Sequence, residues 1–448
     1  MTRKKDTCNL PHAGKEAAIK TRPPRISRPG EPRNFDEAFA RCPEPLIIEL
    51  LQSRKWPIDR KVMHKAATTF YRQQVFRAFA VTLAQQRRNI LDKARRLLSK
   101  HELQRLNIAD NQDNLDGQGV VVAIKLREYG MLDETKLNYF FPDSSWLSCR
   151  TSVYSLVECN RDAAQNLFDA GFGNVDEADK LGYTPLSVLE IPAPGRRYRG
   201  TYTTGTLYGC LGKYFEMCVW YEEKGAQLSR VFGLANTTPL HHIAARVGRY
   251  FADIVDFWYS KAANDKRESV LHRFAADWAN IVRPAQASVL KWILEETTHH
   301  DLYECPCTVG GCLPMNILIN ETIKTHRSPK EVSQLVVMLL EALCPPDIHE
   351  NDPMLALIFL RACTFACLNI PHTCGSSSLH RFRRLPEEDR EHHFDACVDS
   401  WVAEFVAEYH KSGLPLCSFL TESWPKTYEE ALESLFEDSL FKMRIGAE

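Results

Sequence analysis

Gly182-Tyr183-Thr184-Pro185-Leu186 occurs a second time, with small changes, as Asn236-Thr237-Thr238-Pro239-Leu240. Each copy follows an amphipathic segment that stops at a glycine, and 13 positions separate the glycine from the threonine both times (Gly171 to Thr184, Gly225 to Thr238). Internal repetition of this kind is typical of stacked helical units, which serve binding more often than catalysis.

The residue types at these positions each have a physical reason. Gly171 and Gly225 suit the position just past a helix end, where the backbone often adopts a positive φ that glycine tolerates best. Thr184 and Thr238 suit N-cap positions, because their hydroxyls can accept a hydrogen bond from a free N–H of the first turn. The prolines that follow suit the first helical position, which needs no N–H. The repeat therefore predicts two helix starts in an all-α fold.

A third, degraded copy is Gly311-Cys312-Leu313-Pro314-Met315, in which leucine replaces the capping threonine. A helix is predicted before it, over Ala285 to Glu296, from the spacing of its apolar residues. Ser328-Pro329-Lys330-Glu331 has the spacing of a capping box and opens a further apolar helix.

Composition and pattern divide the chain into four parts. Residues 1–33 are basic and proline-rich, and we expect them to be disordered, either as a nuclear-targeting or anion-binding tail or as a solvated terminus. Residues 34–150 are predicted to be helical. Residues 151–345 hold the interrupted repeats, with an irregular insertion at 191–211. Residues 346–448 are predicted to be helical again.

The overall composition restricts the class of partner. The chain has 448 residues, a net charge of −1 and 44% hydrophobic residues, so no global field draws it to nucleic acid or membrane. The N-terminus lacks the apolar core of a secretory signal, and the most apolar stretch, Met354 to Leu368, contains Arg361. We therefore expect an intracellular protein, cytoplasmic or nuclear, with a buried helix at that stretch.

The second copy continues with His241, Ala244, Ala245 and Gly248, and this pattern resembles the signature of the ankyrin-repeat family. Further motifs are similar to those of ankyrin-repeat proteins of filamentous fungi. They are Ser152–Leu156, Leu167–Phe172, Val175–Asp179, Cys305–Cys307, Gly311–Pro314 and Pro371–Cys374.

The resemblance implies a divergent ankyrin-like array that binds another protein through hairpin tips and inner helix faces. It also implies that the tips include Lys180 and Tyr183, and that His241 is a structural hydrogen-bonding residue. An ankyrin unit has about 33 residues, and the 54 positions between the two threonines leave a surplus that falls in the insertion. Asn236 replaces the turn glycine but tolerates the left-handed conformation.

The insertion is itself a candidate contact surface. It carries Arg197, Tyr198 and Tyr202 on a long loop, and such residue types are enriched at interaction hot spots. The alternative is a mobile solvated loop.

A cysteine cluster leaves room for a metal. Cys305, Cys307 and Cys312, completed by Cys374 or His372, would supply four zinc ligands if the segments meet. The spacing is not that of a usual zinc knuckle, and the alternative is a loop of buried or redox-sensitive thiols. A zinc-stabilised or redox-sensing module is therefore the alternative function.

Catalytic signatures for nucleotide binding, serine hydrolysis and zinc proteolysis are all missing from the sequence. Cysteine–histidine pairs carry little information, because 15 residues of each type allow many chance combinations. The sequence thus predicts a non-catalytic protein-interaction scaffold without a cofactor. An enzyme on an unfamiliar helical fold is the third possibility.

Overall fold

A computed structural model describes residue 32 and residues 35–52, 60–68, 73–106, 108, 114–131, 152–179, 181–192, 204–232, 236–261, 284–296, 298–301, 312–323, 328–343, 353–368 and 392–437. Within these ranges the chain forms helices and no β-strand, as the sequence predicts. An isolated backbone bridge joins Phe232 and Thr237.

The helices are numbered here in chain order. They are α1 (Phe35–Arg41), α2 (Glu44–Gln52), α3 (Arg60–Thr68), α4 (Gln73–Leu97), α5 (Lys100–Arg105), α6 (Gly117–Glu128), α7 (Arg161–Ala170), α8 (Thr204–Glu223), α9 (Pro239–Lys261), α10 (Pro284–Glu295), α11 (Pro314–Ile323), α12 (Pro329–Leu343), α13 (Pro353–Cys367), α14 (His392–Ser412) and α15 (Trp424–Glu437). A short 3₁₀ helix, Val153–Leu156, precedes α7.

Helix α4 is the centre of the N-terminal part. Its apolar face, which includes Phe76 and Phe79, is buried against α2, α3, α6 and α7. Hydrogen bonds hold this part to the segment that follows: the Arg88 guanidinium donates to the Ala170 carbonyl (2.6 Å), and the Asn160 amide donates to the Ala67 carbonyl. The N-terminal helices therefore pack against the segment that contains α7.

Two helix pairs run through the middle of the molecule. Helix α9 packs along α11, and α8 packs along α10. The α9–α11 contact is close at Gly248, where a Cβ atom would lie 2.6 Å from the Leu318 carbonyl oxygen and 2.7 Å from the Glu321 Cβ. Only glycine fits at this crossing without movement of the neighbouring backbone.

The two threonine copies begin segments of very different length. Pro239 begins a 23-residue helix, whereas residues 185–188 form a single turn and residues 189–192, the last described before 204, are not helical. Pro192 and Pro194 explain the difference, because neither proline can donate the N–H that a continuing helix needs. The first predicted helix start therefore stops after one turn.

Helix α8 is longer than its sequence pattern predicts. The apolar spacing indicates a helix over Lys213 to Lys224, but α8 begins at Thr204 and includes the last part of the predicted insertion. Glycine in a helix costs about 1 kcal/mol relative to alanine. Burial of Leu207, Tyr208 and Leu211 offsets this cost.

Helices α12 to α15 form the C-terminal part. The predicted capping box opens α12, since the Ser328 hydroxyl and the Glu331 carboxylate each accept the other residue's N–H (3.3 and 3.1 Å). The apolar stretch that contains Arg361 is α13, and its guanidinium pairs with Asp399 at 2.6 Å. A π-helical turn, Phe419–Ser423, leads into α15, where Trp424 is fully buried.

We predict that Gly248→Ala lowers the midpoint of thermal and denaturant-induced unfolding. The added methyl group would overlap the backbone of α11, and overpacking of this kind typically costs about 1–3 kcal/mol. Gly209→Ala is the matched control, because Gly209 lies on the exposed side of α8, and a methyl group there would have no neighbouring atom within 4 Å. The control should be neutral or slightly stabilising. Equal midpoints for both variants would show that α9 and α11 are not tightly packed at Gly248.

Candidate functional site

At four places in the described part of residues 152–316, the side chain three residues after the start of a turn or helix bonds to the backbone of the first residue, and the capping boxes at Ser99 and Ser328 use the same spacing. The pairs are Ser152 with Ser155, Thr184 with Ser187, Thr238 with His241, and Leu313 with Asn316. In the first two pairs a serine hydroxyl donates to the backbone carbonyl (2.9 and 2.7 Å). In the last two the side chain accepts from the backbone N–H (3.1 Å in both). We call these four segments the repeat starts.

Two features of the repeat starts are not evident from the Thr-Pro-Leu motif: the bonded residue of the third copy and the start at Ser152. Asn316 occupies the place of His241, so the degraded third copy keeps its bond even though Leu313 has no hydroxyl. Ser152 and Ser155 form a further start before the first Thr-Pro-Leu copy. A search for a polar residue three positions after each predicted start would have found both.

His241 connects two repeat starts. Its Nδ1 accepts from the Thr238 N–H (3.1 Å) and lies 2.8 Å from the Thr238 hydroxyl. Its Nε2 lies 3.0 Å from the Cys312 carbonyl oxygen, to which it must donate. These bonds require the neutral imidazole with its proton on Nε2. His241 thus ties the start of α9 to the segment that begins α11.

Burial affects the protonation of this histidine. His241 is 2% exposed, and burial lowers its pKa to about 4, although the hydrogen bond to Cys312 partly opposes the shift. Burial raises the pKa of Asp116 to about 7, because its carboxyl is enclosed where it accepts from the Ser152 hydroxyl (2.6 Å). Two of the four repeat starts therefore contain or contact a buried titratable group. Burial lowers the pKa of His241 and raises the pKa of Asp116.

Two loops precede the Thr-Pro-Leu copies and turn back on themselves. In the first hairpin loop (residues 172–183), the Asp179 N–H donates to the Tyr183 carbonyl (2.9 Å), and Gly182 has a φ of +88°. In the second hairpin loop (residues 226–237), the Phe232 N–H donates to the Thr237 carbonyl, and Asn236 has a φ of +52°. Asparagine therefore adopts the left-handed conformation at the turn glycine's position.

Neighbouring loops bond to each other in sequence order. Asp176 of the first hairpin loop accepts from the Gln227 N–H (2.8 Å) through its carboxylate and from the Arg230 guanidinium (3.2 Å) through its carbonyl. The Asn236 amide of the second hairpin loop donates to the His300 carbonyl (3.1 Å), just before the third copy. The carboxylate at Asp176 is thus explained by structure rather than by acid–base chemistry.

Tyr183, a predicted partner-binding residue, belongs to the first hairpin loop and packs against Phe232 of the second. Its ring lies 5.0 Å from that of Phe232 and 5.6 Å from that of His242, which stack on each other at 5.3 Å. Tyr183 is half-buried in this aromatic cluster. Its substitution would therefore change loop packing as well as any partner contact.

The outer residues of the hairpin loops are apolar and exposed. Leu181 is 58% exposed and Val231 is 40% exposed. A shallow recess of about 10 Å³, large enough for about one water molecule, lies between the first two repeat starts and the first hairpin loop. Its lining includes Ser152, Ser155, Glu177, Asp179, Tyr183 and Val188. The two exposed residues, Leu181 and Val231, are the candidate contact residues.

The other predicted contact residues lie outside the described residues. These are Lys180 in the first hairpin loop and Arg197, Tyr198 and Tyr202 in the insertion. Their roles stay predictions.

The structure describes one of the proposed zinc ligands. Cys312 is fully buried, and its N–H donates to the Asp301 carboxylate (2.7 Å) while its carbonyl accepts from the Asp301 N–H (3.1 Å). Cys305, Cys307, Cys374 and the alternative ligand His372 lie outside the described part of the chain. Among the residues that are described, no three His, Cys, Asp or Glu side chains form a cluster suited to a metal ion. The zinc hypothesis stays a prediction.

No protein-family model matches this chain, and comparison with curated proteins and with solved structures found no match either. Among the helices described above, none is both long enough and apolar enough to cross a membrane.

We predict that His241→Asn destabilises the protein and removes part of its pH dependence. Asparagine can keep an acceptor near Thr238 but cannot reach the Cys312 carbonyl, and loss of a buried bond costs roughly 1–3 kcal/mol. A histidine with a folded-state pKa near 4 and an ordinary unfolded value of 6.5 makes the free energy of unfolding fall as pH drops from about 6.5 to 4.

The measurement is the unfolding midpoint of wild type and variant at several pH values between 4 and 8. The difference between the two proteins isolates His241 from Asp116, whose raised pKa has the opposite effect over an overlapping range. The two midpoints should converge toward low pH. A constant difference across the range would contradict a buried neutral His241.

Zinc content tests the cysteine hypothesis directly. If Cys305, Cys307 and Cys312 hold zinc, purified protein should contain about one zinc per chain, and Cys312→Ser should lower that content. Elemental analysis after dialysis measures it, with Cys363→Ser on α13 as the control. Zinc-free wild-type protein would remove this alternative.

Proposed function

We propose that this chain is a non-catalytic protein-interaction scaffold that binds a protein partner through an ankyrin-like stack. The observation that carries the proposal is the series of four repeat starts, each with a bonded residue at the third following position. The loop-to-loop bonds and the α8–α10 and α9–α11 packing support the same arrangement, because each unit contacts its neighbour in chain order.

The proposed binding surface is the outer side of the hairpin loops. Leu181 and Val231 are large apolar residues in water, whereas the aromatic cluster behind them is packed. A rigid loop that presents apolar side chains loses little conformational entropy on binding, so these residues suit a protein contact. Lys180 and Tyr202 stay candidates for the same surface on sequence grounds.

The proposal includes no cofactor, no nucleic acid and no membrane partner. Burial raises the pKa of the Cys218 thiol to about 12, and the pKa values of Cys159 and Cys363 are shifted upward for the same reason. Thiols of this kind are weak nucleophiles at neutral pH. The composition supports an intracellular location, in the cytoplasm or the nucleus.

We predict that Leu181→Asp, alone or with Val231→Asp, reduces partner recovery about tenfold or more in affinity purification followed by mass spectrometry. A charge placed at an apolar contact must be desolvated on binding, while the folded protein keeps its stability because the side chain is exposed. Leu357→Asp is the matched control, since Leu357 is 36% exposed and belongs to α13, not to either hairpin loop.

Recovery must fall for Leu181→Asp and not for the control, with equal unfolding midpoints for both. The scaffold proposal at this surface is wrong if wild type specifically enriches no protein. It is also wrong if Leu181→Asp recovers the same partner as fully as the Leu357→Asp control does.

A further inference from the structure

The ends of α4, α5 and α6 meet at one exposed surface. The Lys93 ammonium of α4 donates to the Met131 carbonyl, just after α6 (2.6 Å). The Tyr129 hydroxyl donates to the Glu102 carboxylate of α5 (2.7 Å). The Lys125 ammonium of α6 lies 4.9 Å from the centre of the Tyr129 ring. These contacts join the three helix ends, so the side chains around them belong to a single surface.

This surface carries an excess of positive charge. Residues 73–106, which include α4 and α5, hold eight basic and two acidic residues, a net charge of +6. Three exposed cations lie within one helical turn of the bonds above, and they are Arg96, Lys100 and Arg105. The hydrogen bond to Glu128 raises the pKa of Lys125, and the nearby Arg105 charge opposes that shift. Like charges therefore lie close together here, which favours an acidic counterpart.

Apolar side chains are exposed on the same surface. Four large apolar residues are 37–49% exposed, and they are Leu97, Val121, Tyr129 and Met131. Leu97 lies one turn along α4 from Lys93, and Val121 lies one turn before Lys125 on α6, so both adjoin the bonded cations. Single exposed apolar residues are ordinary, whereas a group of them with a polar rim is typical of a contact surface. We call these four residues and the three exposed cations the basic face.

The C-terminal helices carry the opposite charge. Residues 392–437, which contain α14 and α15, hold nine acidic residues and two lysines, a net charge of −7 with histidine neutral. Exposed carboxylates on α15 and on the turn before it are those of Glu422, Glu429, Glu430 and Glu433. Glu429 and Glu433 are four positions apart and so lie on one side of the helix. We call these four residues the acidic face.

The two faces belong to different parts of the molecule. Helix α4 packs against α2, α3, α6 and α7, whereas α15 packs against α12 and α14. Ion pairs such as Arg95 with Asp92 (3.2 Å) and Arg361 with Asp399 (2.6 Å) connect groups within one part. A second copy of the chain supplies one acidic face for every basic face, which makes it the occupant that these charges favour.

We propose that copies of this chain associate through contact of the basic face of one copy with the acidic face of another. An exposed ion pair contributes at most about 1 kcal/mol, so the contact needs several pairs, and burial of Leu97 and Met131 adds to them. Neither face includes residues of the hairpin loops, so this association is independent of the partner proposed above.

Sedimentation velocity on the chain of 448 residues tests the association. One copy has a mass of 51.3 kDa. At about 50 mM NaCl, the weight-average mass should rise about 1.5-fold or more as the protein concentration increases from roughly 2 to 200 µM, the range of weak specific contacts. About 500 mM NaCl should remove most of the increase, because salt screens exposed charges. A mass of one copy under all of these conditions would overturn the proposal.

Charge reversal on each face makes the test specific. Lys100→Glu with Arg105→Glu reverses the basic face, and Glu429→Lys with Glu433→Lys reverses the acidic face. All four side chains are exposed, so the unfolding midpoints should stay close to that of wild type. Each variant alone should keep the mass of one copy, because its two faces then carry the same sign. An equimolar mixture of the two variants should associate again, since their faces have opposite signs.

Arg161→Glu with Lys291→Glu is the matched control. Both side chains are more than half exposed on helices outside the two faces, and the substitutions change the net charge as much as reversal of the basic face does. The control should associate as wild type does. Loss of association in the control would show that net charge alone governs the mass. A mixture of the two variants that stays at the mass of one copy would show that the two faces do not meet, and either result overturns the proposal.

Discussion

The buried starts of the repeated segments set the main physical constraint on this molecule. A helix or turn that begins inside a protein leaves backbone N–H and carbonyl groups without water, and an unsatisfied buried group costs roughly 1–3 kcal/mol. Here a side chain three positions later meets that need at every repeat start, as Ser187 and Asn316 illustrate. The requirement is local, so each unit satisfies it with a different residue type.

His241 extends this local bond to the neighbouring unit. One ring nitrogen serves the start of α9 and the other serves the Cys312 carbonyl, so the imidazole fixes the distance between two consecutive starts. Gly248 provides a second fixed point two turns further along α9, where the backbones of α9 and α11 meet. Two separate contacts on one helix determine both its position and its rotation.

The features that the sequence predicts well are those with local causes. Gly171 and Gly225 end helices at positive φ, and Ser328 with Glu331 forms the capping box, since each depends only on residues nearby. The features it misses depend on tertiary contacts. The helical extension of α8 through glycines follows from burial against other elements, and the packing of Tyr183 on Phe232 joins residues about fifty positions apart. The candidate surface at Leu181 required knowledge of which loop residues the fold leaves in water.

The bond from His241 ends on a main-chain oxygen, and this has an evolutionary consequence. Every amino acid offers the same carbonyl, so position 312 can change its side chain without breaking the tie between units. The tie between the two segments therefore depends on the residue type at position 241 and not on the residue type at position 312.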